Sequence, residues 1–228
     1  MTYIKSFFNI FLNIFFPKYC ISCKKESYWI CPKCLFKNIQ ICSQQFCPVS
    51  NTLSPQGAVT SLHKKDTELD GLLVCAEYKQ NHLLQKLLKK LKYFFAFDIA
   101  KELSPLLTET LENNNFSIED YTICAVPLHW RRQLERGFNQ STLLAQNIKK
   151  PKLLLKRHKY TQQQAKLNKT EREQNIQNAF SFIGKTVPKH VLLVDDISST
   201  DSTLNACAKI LKQAGVQKVW AIVIAKNR

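Results

Sequence analysis

From Leu72 onward the chain alternates short apolar runs with longer segments whose apolar residues recur every three or four positions. Residues 72–78, 121–126, 152–155, 190–194 and 218–225 read as strands, the second of them ended by Pro127. Residues 83–91, 99–111, 138–148 and 203–214 read as helices and 171–178 as a helical turn, with Gly215 as the stop signal of the last helix. Near-continuous apolar strands separated by helices predict an α/β fold: a mostly parallel sheet with helices on both faces. No internal repeat or low-complexity tract interrupts the pattern.

This α/β region, residues 70–228, follows three zones of different character. Residues 1–18 are rich in Phe, Ile and Leu, bounded by Lys5 and Lys18 and interrupted by Asn9 and Asn13. As a helix this segment is apolar around most of its circumference but too short to span a bilayer. No small-residue cleavage site follows it. Packing against the main domain is the expected role, an interfacial membrane anchor the alternative, and the protein is expected to be cytoplasmic. Residues 19–50 form a cysteine-rich knuckle, and 51–69, with Ser54, Pro55, Gln56 and Gly57, a linker or early hairpin.

Of nine cysteines, six fall between Cys20 and Cys47, while Cys75, Cys124 and Cys207 stand singly in apolar stretches as small core residues do. Cys20 and Cys23, then seven residues, then Cys31 and Cys34 make two tight C-x-x-C turns. Four thiolates suit tetrahedral Zn²⁺, and a site with four protein ligands leaves no open position, so the expected metal is structural. Lys18, Lys24, Lys25 and Lys33 partly offset the excess negative charge of such a site. Cys42 and Cys47 form a looser pair that either replaces two of these ligands or belongs to a second, incomplete site.

The formal net charge is +16, and residues 129–172 hold twelve Lys/Arg against two acids. A concentration of that kind favours phosphate-rich partners; a merely solvated lysine-rich surface is the alternative. Lys149, Lys150, Lys152, Lys156, Arg157 and Lys159 form a basic ribbon ending on Tyr160, suited to the backbone of single-stranded DNA. His129 and His158 read as surface groups, and Gly137-Phe138 as a helix start.

The run 191–196 ends in Asp195 and Asp196, followed by Ser199, Thr200, Asp201, Ser202 and Thr203 before the last helix. A turn into a helix N-terminus presents backbone N–H groups to a phosphate, and the hydroxyls add donors without bulk. Two carboxylates at the carboxyl edge of a parallel sheet can accept hydrogen bonds from a ribose diol. Ordinary capping by Ser199, Ser202 or Thr203, with Asp201 favoured by the helix dipole, is the competing explanation.

This run resembles the 5-phosphoribosyl-1-pyrophosphate (PRPP) motif of type I phosphoribosyltransferases. The chain as a whole resembles the ComF family, competence proteins related to amidophosphoribosyltransferases. The paired C-x-x-C knuckle carries part of the likeness. So do Val126-Pro127-Leu128, Arg131-Arg132 and Arg136-Gly137-Phe138-Asn139-Gln140, then the spacing of Gln164, Leu167, Arg172, Asn175 and Phe180, and lastly the PRPP loop. Lys92-Tyr93 matches the end of the family's first helix, and the likeness covers about residues 15–226. It departs from the pattern at Asp201, where the family has Gly, and at Ser199, where it has Thr.

The resemblance implies a type I phosphoribosyltransferase-like domain with an N-terminal zinc knuckle, acting as a cytoplasmic DNA-uptake factor in natural transformation. It would bind Mg²⁺-PRPP and single-stranded DNA, with a competence helicase as a further partner. Asp195 and Asp196 would hold the ribose, residues 199–203 the 5′-phosphate, and Arg131, Arg132 and Lys92 the pyrophosphate. Two alternatives remain open: an active phosphoribosyltransferase whose acceptor no residue identifies, and a DNA-binding adaptor whose pocket Asp201 has disabled.

Overall fold

The structure is a computed structural model, and it describes residues 17–226 apart from 79–80, 94–95, 161–175 and 177. Nearly all of the expected N-terminal helix, most of the turn at 171–178, and Gln164, Leu167, Arg172 and Asn175 lie outside the described residues.

In chain order the elements are α1 (Pro32–Asn38), β1 (Gly71–Glu77), α2 (His82–Tyr93), α3 (Asp98–Asn113), β2 (Thr122–Ala125), α4 (Trp130–Arg136), α5 (Gln140–Gln146), β3 (Leu155–Arg157), β4 (Phe180–Phe182), β5 (His190–Ser198), α6 (Ser202–Gln213) and β6 (Lys218–Lys226). Strands β1, β6, β5 and β2 form, in that order, a wholly parallel sheet. Strands β3 and β4 form a separate antiparallel ribbon. Alternate residues of each central strand serve opposite faces. Leu73, Leu192, Val194 and Ile222 pack with α2, α3, α5 and the knuckle. Leu72, Val74, Leu193 and Val223 pack with α6 and the ribbon. The sheet is therefore buried on both sides, as its continuous apolar strands require.

The knuckle is docked on this core. Cys20, Ile30, Leu35 and Ile39 join the same apolar cluster as α2 and α3. The Glu102 carboxylate on α3 accepts the backbone N–H groups of Trp29 at 3.0 Å and Ile30 at 2.7 Å. Residues 42–45 cover β1, the edge strand: Cys42 N–H reaches Cys75 O at 2.8 Å. Buried Gln45 accepts from Val74 N at 2.9 Å and donates to Val74 O at 3.1 Å, so its side-chain amide mimics a neighbouring strand. The 51–69 segment contains two 3-10 turns, Pro55–Gly57 and Ser61–His63, and a bridge between Ala58 and Gly71.

Elements β3, β4, β5 and α4 differ from the sequence expectation. Strand β5 runs to Ser198, so Asp195 and Asp196 lie inside it. Parallel pairing with β6 continues past the apolar run, joining Asp195 to Val223 and Ser198 to Lys226. Helix α4 was not expected, because its Trp130 and Leu134 are exposed and give no core-facing stripe. Strand β3 begins at Leu155 because its pairing with β4, which was not anticipated either, sets its limits.

Candidate functional site

Asp196 falls on the sheet face covered by α2 and α5, with 3% of its surface exposed. Lys92, at the end of α2, places Nζ 2.7 Å from Asp196 Oδ2. Gln140, the first residue of α5, donates to Asp196 Oδ1 at 3.3 Å, and its own Oε1 accepts from Arg136 Nη1 at 3.1 Å. The Arg136 guanidinium lies over the Tyr93 ring, 5.4 Å from its centroid. On the neighbouring carboxylate, Asp195 Oδ1 accepts from Ser141 Oγ at 2.6 Å and from Asp196 N–H at 2.9 Å.

A tight helix–helix corner makes this possible. Gly137, at φ 75°, ends α4 in the left-handed conformation that glycine adopts without penalty. Asn139 caps α5 by accepting from Ser141 N–H at 3.0 Å, and its Nδ2 donates to Val126 O at 2.9 Å, pinning the corner to the end of β2. Arg136 and Gln140 are thereby buried, at 8% and 4% exposure, next to the acids.

The two carboxyls differ in charge. Burial and the negative Asp196 beside it push Asp195 up to about 7, against the opposing pull of Ser141, the Asp196 N–H and Lys92. For Asp196 burial acts in the same upward direction, but the Lys92 charge and the hydrogen bonds from Lys92 and Gln140 outweigh it and hold the carboxyl below its ordinary range. Burial disfavours the Lys92 ammonium, yet Asp196 more than compensates and raises it. The pair thus holds one firm negative charge and one proton that leaves near neutrality.

Beyond β5, Asp201 is the N-cap of α6, at φ 56°. Of the caps named by the competing explanation, Ser199, Ser202 or Thr203, none holds this place; the backbone instead takes at Asp201 the left-handed conformation that glycine adopts without penalty. Aspartate is among the residues that tolerate this region best. Its carboxylate is matched locally: Ser198 Oγ donates to Oδ1, and Lys226 Nζ, at the end of β6, sits 2.5 Å from Oδ2. Thr200 Oγ1 and Ser202 Oγ share a hydrogen bond of 2.5 Å. The first-turn N–H groups of α6, a helix of twelve residues, have no intrahelical acceptors. A cavity of about 500 Å³ opens beside this loop, walled by Thr200, Asp201 and Ser202 on one side and by Asn178 and Phe180 on the other.

Of the expected ligand-binding residues, the fold brings Lys92 to Asp195 and Asp196 and sets the 199–203 loop directly after them. Arg131 and Arg132 turn instead toward the Trp130 and Tyr160 rings. Arg136, Gln140, Ser141 and Lys226 were not foreseen as site residues; the signal for the first two was the Arg-Gly-Phe-Asn-Gln run itself. Lys149, Lys150, Lys152, Lys156 and Lys159 are exposed as expected for a basic ribbon. Arg157 departs from it: strand alternation turns it inward with Leu155, at 8% exposure, over the Phe180 ring. His129 is likewise not a surface group. It is 4% exposed, accepts from Arg131 N–H through Nδ1 at 3.3 Å and places Nε2 3.1 Å from His158 O.

In the knuckle, the Sγ atoms of Cys20, Cys23, Cys31 and Cys34 all lie within 4.8 Å of one another, and those of Cys23 and Cys31 are 3.7 Å apart. Four sulfurs at ~2.3 Å from a tetrahedral Zn²⁺ stand about 3.8 Å apart, so the donor set fits. Burial opposes ionisation of Cys20, but backbone N–H groups of Cys23, Cys31 and Ser22 pull its thiol down to about 6. Cys42 and Cys47 are not part of this group.

No family model matches the chain. Among individual proteins, it is 32% identical to Competence protein F of Haemophilus influenzae over 177 residues, which span 71% of this chain and 76% of that protein. This chain belongs to the ComF family. Other ComF relatives include the DNA utilization protein YhgH of Escherichia coli, 29% identical over 205 residues (85% of this chain and 88% of that one). Competence protein ComFC of Streptococcus pneumoniae is 28% identical over 144 residues, 63% of this chain and 64% of its own. Among the described residues of this ComF chain, no helix is long and apolar enough to cross a membrane.

Proposed function

We propose that this ComF protein is a cytoplasmic DNA-uptake factor of natural transformation, whose cleft binds PRPP and whose basic ribbon binds single-stranded DNA. The observation that carries the ligand reading is the Asp195–Asp196 pair, Asp196 buried and Asp195 half-buried, near the carboxyl end of β5 and ahead of a Ser/Thr-rich helix N-terminus. Asp196, ionised, accepts from one ribose hydroxyl; Asp195, half-protonated near neutrality, accepts from or donates to the other. Ser199, Thr200, Ser202 and Thr203 and the first-turn N–H groups of α6 meet the 5′-phosphate. The expected pyrophosphate contacts narrow to Lys92, the cation of the three that reaches the acids.

Asp201 bears on the alternative of a disabled pocket. A lone carboxylate beside a phosphate dianion would repel it, but Lys226 neutralises Asp201 at 2.5 Å. The loop keeps the backbone conformation of a glycine with no net added charge, which favours a retained cradle. Mg²⁺, when bound with PRPP, would neutralise the pyrophosphate. In the knuckle, Cys20, Cys23, Cys31 and Cys34 hold a structural Zn²⁺ that fixes the turns against α3.

The test is a strain carrying Asp195→Ala/Asp196→Ala at the native locus, with the protein level checked. Transformation frequency is expected to fall at least tenfold; full transformation with normal protein abundance overturns the reading.

A further inference from the structure

At the start of α4 and just past β3 the chain builds a partly exposed aromatic–guanidinium patch. His129, buried and bridged to Arg157, joins the start of α4 to the end of β3 and brings two distant aromatics together. The His129 ring is 5.5 Å from Trp130 and 5.1 Å from Tyr160. The Arg131 guanidinium lies 5.3 Å from the Trp130 centroid and 5.6 Å from that of Tyr160, and Arg132 lies 5.8 Å from Tyr160. Trp130 is 56% exposed and Leu134, one helical turn along α4, is 73% exposed.

Trp130 and Leu134 contribute nothing to the core, and an exposed Trp is unfavourable on a soluble surface unless something covers it. We infer that Trp130 and Tyr160, with Arg131 and Arg132 between and beside them, form a stacking platform for the bases of single-stranded DNA. Flat rings interleaved with guanidinium planes match nucleobase faces in shape and electronics. The charge around them is complementary to the phosphates: Lys156 and Lys159 are exposed on the adjoining strand and its exit, against Glu135 as the acid on α4. The basic ribbon then tracks the backbone while the platform holds the bases. This assignment rests on the DNA-binding reading above and gives Arg131 and Arg132 a different task from pyrophosphate binding.

The full-length protein can be titrated with a twenty-nucleotide oligo(dT) and with an abasic phosphodiester of equal length, reading tryptophan fluorescence and anisotropy at several salt concentrations. The wild type is expected to bind oligo(dT) about tenfold or more tightly than the abasic strand, with quenching from Trp130, at the lower end of what stacked bases contribute. Trp130→Ala/Tyr160→Ala should lose that preference and the quenching while keeping the salt slope, which the lysines set. Trp130→Phe, which preserves a stacking ring, should keep most of the affinity and guards against misfolding of the double variant. Equal binding of the two strands by the wild type overturns the platform and leaves DNA binding standing. So does unchanged oligo(dT) affinity in the double variant, the outcome expected if the patch serves a protein partner. Failure of the wild type to bind either strand overturns both.

Discussion

Replacing Asp195 by Asn is expected to stabilise the protein, and only at pH values where the native carboxyl is forced to ionise. Asp195 is half-buried next to ionised Asp196, and its folded pKa of about 7 lies above the ordinary 3.8. The native state therefore binds more protons than the unfolded chain between these two values, so stability falls as pH rises through that window and the loss is complete above pH 7. At 1.36 kcal/mol per pH unit the full difference is about 4 kcal/mol, an upper bound that solvent screening of a partly exposed group reduces to roughly 2 kcal/mol. Asn keeps an oxygen to accept from Ser141 Oγ and Asp196 N–H, the contacts that Asp195 makes. Urea unfolding of the wild type and Asp195→Asn at pH 4 and pH 8 should show little difference at the acid end. At pH 8 the variant should gain about 2 kcal/mol, or a melting temperature higher by roughly 4–8 °C. A variant no more stable at pH 8 than at pH 4, relative to wild type, would refute the electrostatic account of the pair. A stabilising substitution at this position would also mark it as kept for function at the expense of stability.

Lys92→Met should act in the opposite sense, leaving the Asp196 charge buried without its ammonium and costing about 3 kcal/mol in urea unfolding at pH 7; an unchanged midpoint would count against a buried pair. Purified protein should contain one zinc per chain by atomic emission, and Cys23→Ser, at the exposed ligand, should lose it and lower the melting temperature. Retention of full zinc by that variant would remove Cys23 from the site. Asp201→Gly should bind PRPP at least as well as wild type, whereas Lys226→Met, which leaves Asp201 uncompensated beside the phosphate, should bind it about tenfold more weakly. Equal affinities in calorimetry of the two variants would dissociate the Asp201–Lys226 pair from ligand binding.

The layers of the fold were legible because apolar runs such as 191–194 and 219–225 can be buried only between two covering layers, and the helix periodicities of α2, α3 and α6 are regular. The cysteine cluster was legible because C-x-x-C spacing is local chemistry. What the chain order concealed was tertiary. Whether Asp196 pairs with Lys92 depends on where α2 ends relative to β5, more than a hundred residues later. Helix α4 has no buried apolar stripe and depends on the His129 cap and the Gly137 stop, so periodicity could not reveal it. Arg157 looked like one more cation in a basic run until its partner strand defined the inward side. The Lys226 match to Asp201 joins the last strand to the loop, and only the parallel register of β5 on β6 sets them side by side.

The central claim is that this cleft holds a phosphoribosyl ligand, and isothermal calorimetry of the full-length protein with PRPP in the presence of Mg²⁺ tests it most directly. The account predicts saturable binding at one site per chain, abolished by Asp195→Ala/Asp196→Ala and competed by ribose 5-phosphate. Absence of binding by the wild-type chain at about 1 mM PRPP, which would limit any affinity to weaker than ~4 kcal/mol, would contradict it.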